Sequence, residues 1–186
     1  MPFLMTDVKR AMLRYRNPDR EYKEKSKILS LDSTGSPGLK TLQFQAVVQA
    51  KSKGESNYTT TIRFFDVPLS KEKKNTQHKE VEINDITHYH PIPSLKRNPC
   101  QIKCTCKSFR FEFEKQNYDA GGLIGNWRRY QRKTPPRKRP SSAKNPNKDG
   151  HDFVNAEPNG GDTTTGFCKH LNTLLTLLYK DGKIRN

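Results

Sequence analysis

Apolar residues in this chain come in short periodic runs separated by polar, lysine-rich tracts. Leu42, Phe44, Ala46, Val48 and Ala50 alternate with mostly polar neighbours, and Tyr58, Thr60, Ile62 and Phe64 do the same after a connection containing Gly54. A period of two predicts strands with one buried face, so these runs make a β-hairpin. Val81, Ile83 and Ile86 offer a further strand, and Ile102 another. Near the C-terminus the period changes. Leu171, Leu174, Leu175 and Leu178 recur at the i, i+3, i+4, i+7 spacing of a helix.

Two stretches read less simply. Phe109, Phe111 and Phe113 alternate with Arg110, Glu112 and Glu114 as in a strand, yet Phe109, Phe113 and Asn117 also share one side of a helix. Both assignments place the phenylalanines in the core, where such side chains usually lie. Residues 5–16 suit a short helix, capped by Thr6 or Asp7 and ended by Asn17-Pro18, with Val8, Met12 and Tyr15 on one side. The Ser, Gly and Pro content between Ser30 and Lys40 marks a turn-rich linker. The lysine-rich stretch from Pro68 to Lys79 lacks an apolar period and reads as a loop.

Composition narrows the size of the core. Only 31% of the 186 residues are apolar and 29% are charged, so the folded part is expected to be small. A net charge of +16 draws the chain toward polyanions: nucleic acid, acidic protein surfaces or anionic membrane. No run approaches the roughly 18 apolar residues of a membrane helix. Residues 1–12 also lack an apolar stretch before a small-residue cleavage site, so no signal peptide is expected and the protein is placed inside a cell.

The sharpest chemistry lies at two distant points, Cys104-Thr105-Cys106 and Cys168-Lys169-His170. Three thiols and an imidazole complete a tetrahedral ligand set for zinc, so the two pairs read as halves of one Cys3His site. In a reducing compartment cysteines serve as metal ligands or free thiols more often than as disulfides. A Cys106–Cys168 disulfide, or buried free thiols, are the alternatives. Cys100 is the remaining cysteine: a free core thiol, or a replacement for one of the four ligands. The second pair opens the leucine helix, where the helix dipole favours thiolate over thiol.

Enzymatic signatures are weak. His78, Glu80, Cys100 and Cys104 imitate the zinc deaminase pattern, but three residues rather than two separate the cysteines, and Cys106, Cys168 and His170 would be idle. His88 and His90 flank Tyr89 before Pro91 and offer ligands for a metal, but a histidine pair in such a turn reads first as polar residues at the surface. No phosphate-binding or dinucleotide-binding glycine loop occurs, and a closed four-ligand zinc leaves no position for substrate. The expectation is a non-enzyme with no small-molecule substrate.

From about residue 119 to 165 the chain is basic and rich in Pro, Gly and Asn, with too few apolar residues to fold alone. Its binding candidates are Trp127, Arg128, Arg129, Tyr130, Arg132, Lys133, Arg137, Lys138 and Arg139. Aromatic rings among guanidinium groups stack bases and hold phosphates, and the same residue types anchor protein interfaces.

The spacing C-x-C, spacer, C-x-H, behind a β-hairpin and before a helix, resembles a SWIM-type zinc finger. The resemblance implies a structural zinc held by Cys104, Cys106, Cys168 and His170, and a binding role toward DNA or protein. The spacer departs from that pattern: residues 107–167 separate the pairs, 61 in all, so the basic tract would loop out of the finger. Closure entropy grows only logarithmically with loop length, so an insertion of this size is tolerable. The stretches Cys104 to Phe111, Asn145-Pro146 and Gly166 to Leu171 also resemble virion proteins of tailed bacteriophages, which implies an assembly role among other protein subunits and a virion location after assembly in the host cytoplasm.

These readings combine into one expectation. The fold is α+β: a basic arm over residues 1–40, then a small zinc-stapled domain over 41–186, interrupted by the insertion at about 119–165. Its function is non-enzymatic structural work in a phage tail, baseplate or connector. The alternative is an intracellular zinc protein that binds nucleic acid.

Overall fold

The computed structural model describes residues 2–5, 26–50, 56–127 and 166–186. Six strands and three helices fill them. A four-stranded antiparallel sheet runs in the order β1 (Ile28–Ser36), β2 (Thr41–Val48), β3 (Tyr58–Phe64) and β6 (Cys100–Cys104), and a separate hairpin pairs β4 (Lys79–Ile83) with β5 (Ile86–His90). Helices α1 (Lys107–Glu112) and α2 (Glu114–Asp119) follow β6, and α3 (Lys169–Lys180) lies near the end of the chain. The class is α+β, as the two hydrophobic periods require.

Register explains which residues reach the core. Phe44 faces Ile62, and Ile62 faces Ile102, so the alternating apolar positions of three strands share one side of the sheet. On that side Leu42, Phe44, Ile62, Phe64 and Ile102 are fully enclosed, with the Phe44 and Phe64 rings edge to face at 6.3 Å. Helix α3 packs against β3 and β6 and buries Leu171, Leu174, Leu175 and Leu178. The helix ends in a left-handed Gly182, after which Gly182 N–H bonds the Tyr179 carbonyl and Lys183 N–H the Leu178 carbonyl, a Schellman closure.

Three local readings change. Residues 30–36, expected within a linker, belong instead to β1, which pairs along β2 from Ile28 opposite Val48 to Ser36 opposite Thr41. Their weak strand propensity yields to the unpaired edge of β2, whose backbone groups need partners. Gly35 reads as turn punctuation in sequence, but a Cβ there would sit 2.8 Å from Leu69 and 2.9 Å from the Thr41 carbonyl, so it marks close packing. The single strand expected around Val81 to Ile86 is two strands. Asn84 and Asp85 both take positive φ, 51° and 61°, which suits a two-residue hairpin turn.

The Phe109 region resolves to helix, with Phe109 fully buried. The free edge of β6 is closed on its outer side. Ile102 N–H bonds the Gly122 carbonyl at 2.8 Å, Ile124 N–H returns to the Ile102 carbonyl, and Cys100 N–H bonds Phe3. The helix expected over residues 5–16 lies outside the described residues beyond Met5, which is buried. No helix among the described residues is long and apolar enough to cross a membrane.

Candidate metal centre

Cys104 is the last residue of β6 and points with Ile102 into the core. The strand stops there, so Cys106 is not a second strand position. It is the N-cap of α1: its backbone is extended (φ −70°, ψ 151°) and its Sγ accepts the Phe109 N–H at 3.3 Å. Cys168 is the N-cap of α3 with the same extended backbone, φ −79° and ψ 171°, but without a side-chain cap hydrogen bond. His170 is the second residue of that helix. One ligand thus comes from a strand end and three from helix starts, where free backbone amides favour anionic sulfur.

All four side chains are buried, and their donor atoms lie within 4.8 Å of one another. His170 Nδ1 is 3.8 Å from Cys104 Sγ and 3.9 Å from Cys168 Sγ. Tetrahedral zinc, with bonds of about 2.3 Å to sulfur and 2.0–2.1 Å to nitrogen, sets S···N edges of about 3.6 Å and S···S edges of about 3.8 Å. The two His170 edges need only a slight contraction, and the widest separation, at most 4.8 Å, about 1 Å. Its donors are soft thiolates and an imidazole, with no carboxylate, a set that suits a transition ion over calcium or magnesium. The four residues can hold a metal ion.

The thiols divide the charge unequally. Hydrogen bonds from Cys104 and Cys168, together with the His170 side chain and the Phe109 amide, pull Cys106 far below the usual thiol range against the effect of burial. Cys104 moves far upward, because it donates to Cys106 and Cys168 and is buried. At Cys168 the bond with Cys104 pulls downward, but the bond with Cys106, burial and the Cys106 charge together raise it to about 12. Within the cluster the negative charge is thus favoured on Cys106 over Cys104 and Cys168. The Tyr58 ring covers His170 with centroids 4.7 Å apart and planes 32° apart.

The second pair is placed by a side chain that the sequence did not single out as functional. Asn117, fully enclosed on α2, donates from Nδ2 to the Gly166 carbonyl at 2.8 Å and accepts the Gly166 N–H on Oδ1 at 3.2 Å. Its helical spacing from Phe109 and Phe113 was visible, but nothing marked its partner 49 residues away. At Gly166 a Cβ would run into the Phe113 ring, so glycine is required there for contact rather than for a turn.

Other candidates fall elsewhere. Cys100 is a buried free thiol, raised to about 12 by burial against an opposing backbone bond from Met5, and stands about 13 Å from Cys104 along the strand, so it replaces no ligand. None of the four cysteines is in a disulfide. His88 and His90 are not at the surface: both are buried, with Nδ1 at 3.0 Å from the Ile86 carbonyl and 2.9 Å from the Pro91 carbonyl respectively. The alternation of β5 turns them inward. His78 and Glu80 take no part in the cluster.

Of the binding candidates, Trp127 is half-buried against the core, and Lys115 Nζ lies 5.9 Å from its ring centre. Arg128, Arg129, Tyr130, Arg132, Lys133, Arg137, Lys138 and Arg139 lie outside the described residues. No family model, curated protein or solved structure matches this chain.

Proposed function

We propose that the chain is a non-enzymatic structural protein whose Cys3His site binds zinc to join sheet to helix, and that it binds neighbouring subunits through its basic segments. The observation that carries this reading is the closure of the site: four buried protein donors surround one point and leave no position for a substrate. Zinc is chosen because three thiolates and one imidazole in a buried tetrahedral set are a common structural zinc ligand set. A SWIM-like finger with an enlarged spacer fits the same geometry.

The partner is proposed as the protein subunits of a tailed-phage particle, assembled in the host cytoplasm. The resemblance of Cys104 to Phe111 and Gly166 to Leu171 to virion proteins supports this reading. Nucleic acid is the second reading, favoured by the net charge of +16 and by exposed Lys103 and Arg110, which flank Cys104 and Cys106 in the sequence. Two measurements test the proposal. Metal analysis of the purified chain should give one zinc per chain. Mass spectrometry of particles purified from the encoding virus should contain the chain, whereas absence from particles together with DNA binding that falls steeply with salt would establish the second reading.

A further inference from the structure

One of the three sulfurs has a backbone donor: Phe109 N–H donates to Cys106 Sγ. Cys104 has no such amide, because the following N–H, that of Thr105, bonds the Thr59 carbonyl at 3.0 Å. Directly across the ladder from Cys104 stands Thr60, with no exposure at all, and its Oγ1 has no hydrogen-bond partner among the described residues. The neighbouring pairs carry the backbone bonds, Thr105 to Thr59 and Phe65 to Pro99, so Thr60 and Cys104 form a non-hydrogen-bonded pair. In such pairs the Cα atoms are only about 4.5 Å apart and the side chains lie on one face.

A buried hydroxyl without a partner is costly, and a metal-bound thiolate is an acceptor that lacks a donor. Zinc with three thiolates and a neutral imidazole leaves one negative charge in an enclosed site, which amide and hydroxyl donors stabilise. We infer that the Thr60 hydroxyl donates to the Cys104 sulfur in the metal-bound protein and acts as a positioning residue for that ligand. The inference rests on the proposal that the four residues bind metal. It adds a polar partner that neither the Cys-x-Cys spacing nor the ligand cluster assigns.

Competition between a chromophoric chelator and the full-length chain reads zinc affinity for the wild type, Thr60→Val and Thr60→Ser. Valine keeps the shape and removes the hydroxyl. The expected result is roughly a tenfold or greater loss of affinity in Thr60→Val, as for other polar partners of metal ligands, and recovery in Thr60→Ser. The cobalt-substituted chain gives a second readout: loss of the donor should move the sulfur-to-cobalt charge-transfer band to longer wavelength in Thr60→Val but not in Thr60→Ser. A purely structural role predicts the opposite sign for affinity, because valine removes an unpaired buried hydroxyl and favours the folded chain. Equal or tighter binding by Thr60→Val with an unshifted band overturns the inference alone. A wild-type chain that takes up neither metal overturns the zinc reading with it.

Discussion

Asn117 on α2 and Gly166, 49 residues later, are joined by two hydrogen bonds that use both backbone groups of the glycine. The pair sets the height at which the chain re-enters the domain, two residues before Cys168. Replacing Asn117 by Ala strands the Gly166 N–H and carbonyl in a buried place. The expected loss is about 2–4 kcal/mol of stability, read by denaturant unfolding, with weaker zinc binding by the same chain. An unchanged midpoint would show that Gly166 is placed by other contacts.

Gly166→Ala should destabilise through the Phe113 ring, by about 1–3 kcal/mol as in other overpacked sites. Because the neighbour is a side chain, space can be restored. Gly166→Ala combined with Phe113→Leu should therefore lose less than the sum of the two single changes. Strict additivity in that double-mutant cycle would rule out the ring as the cause.

Metal removal should act on the whole sheet-to-helix contact. Chelation, or Cys168→Ser, is expected to lower the thermal midpoint and to weaken the protection of α3 amides in hydrogen exchange. Burial and the bonds within the cluster favour the protonated forms of Cys104 and Cys168, so proton release should accompany metal binding. Zinc affinity should therefore rise with pH throughout the range below the raised value of about 12 at Cys168, with protons released into the buffer during calorimetric titration.

His90 gives an acid dependence of its own. Burial lowers its pKa from 6.5, the Pro91 carbonyl opposes that change, and the nearby His78 and Lys79 charges add to it. The folded state thus favours the neutral ring, and the unfolded chain binds the proton more readily. The contribution to stability is complete above about pH 6.5 and is lost as the pH falls through the depressed folded value. His90→Gln should flatten this part of the stability profile, and an equally steep profile in the variant would assign the effect to another group.

Legibility in the sequence followed the range of the interaction. The β2–β3 hairpin and α3 were readable because their apolar periods are local, and the metal ligands because two tight pairs advertise themselves. β1 was hidden because Ser, Gly and Asp carry no strand signal, and its pairing comes from β2. The Phe109 stretch satisfied both periods, and the Cys106 cap decided for helix. Asn117 and Thr60 owe their roles to neighbours far along the chain, and His88 and His90 to the register of β5, none of which spacing reveals.

The ligands stand on both sides of residues 128–165, two before that stretch and two after it. A bound ion would therefore be a second joint between the halves of the chain, parallel to the covalent one. A peptide-bond cut anywhere in 128–165 would then leave two fragments held together by the ion as well as by the buried leucines of α3, and chelation would weaken that association. The long tract could vary in length or content while the domain keeps its shape, since the joint that fixes the geometry does not pass through it.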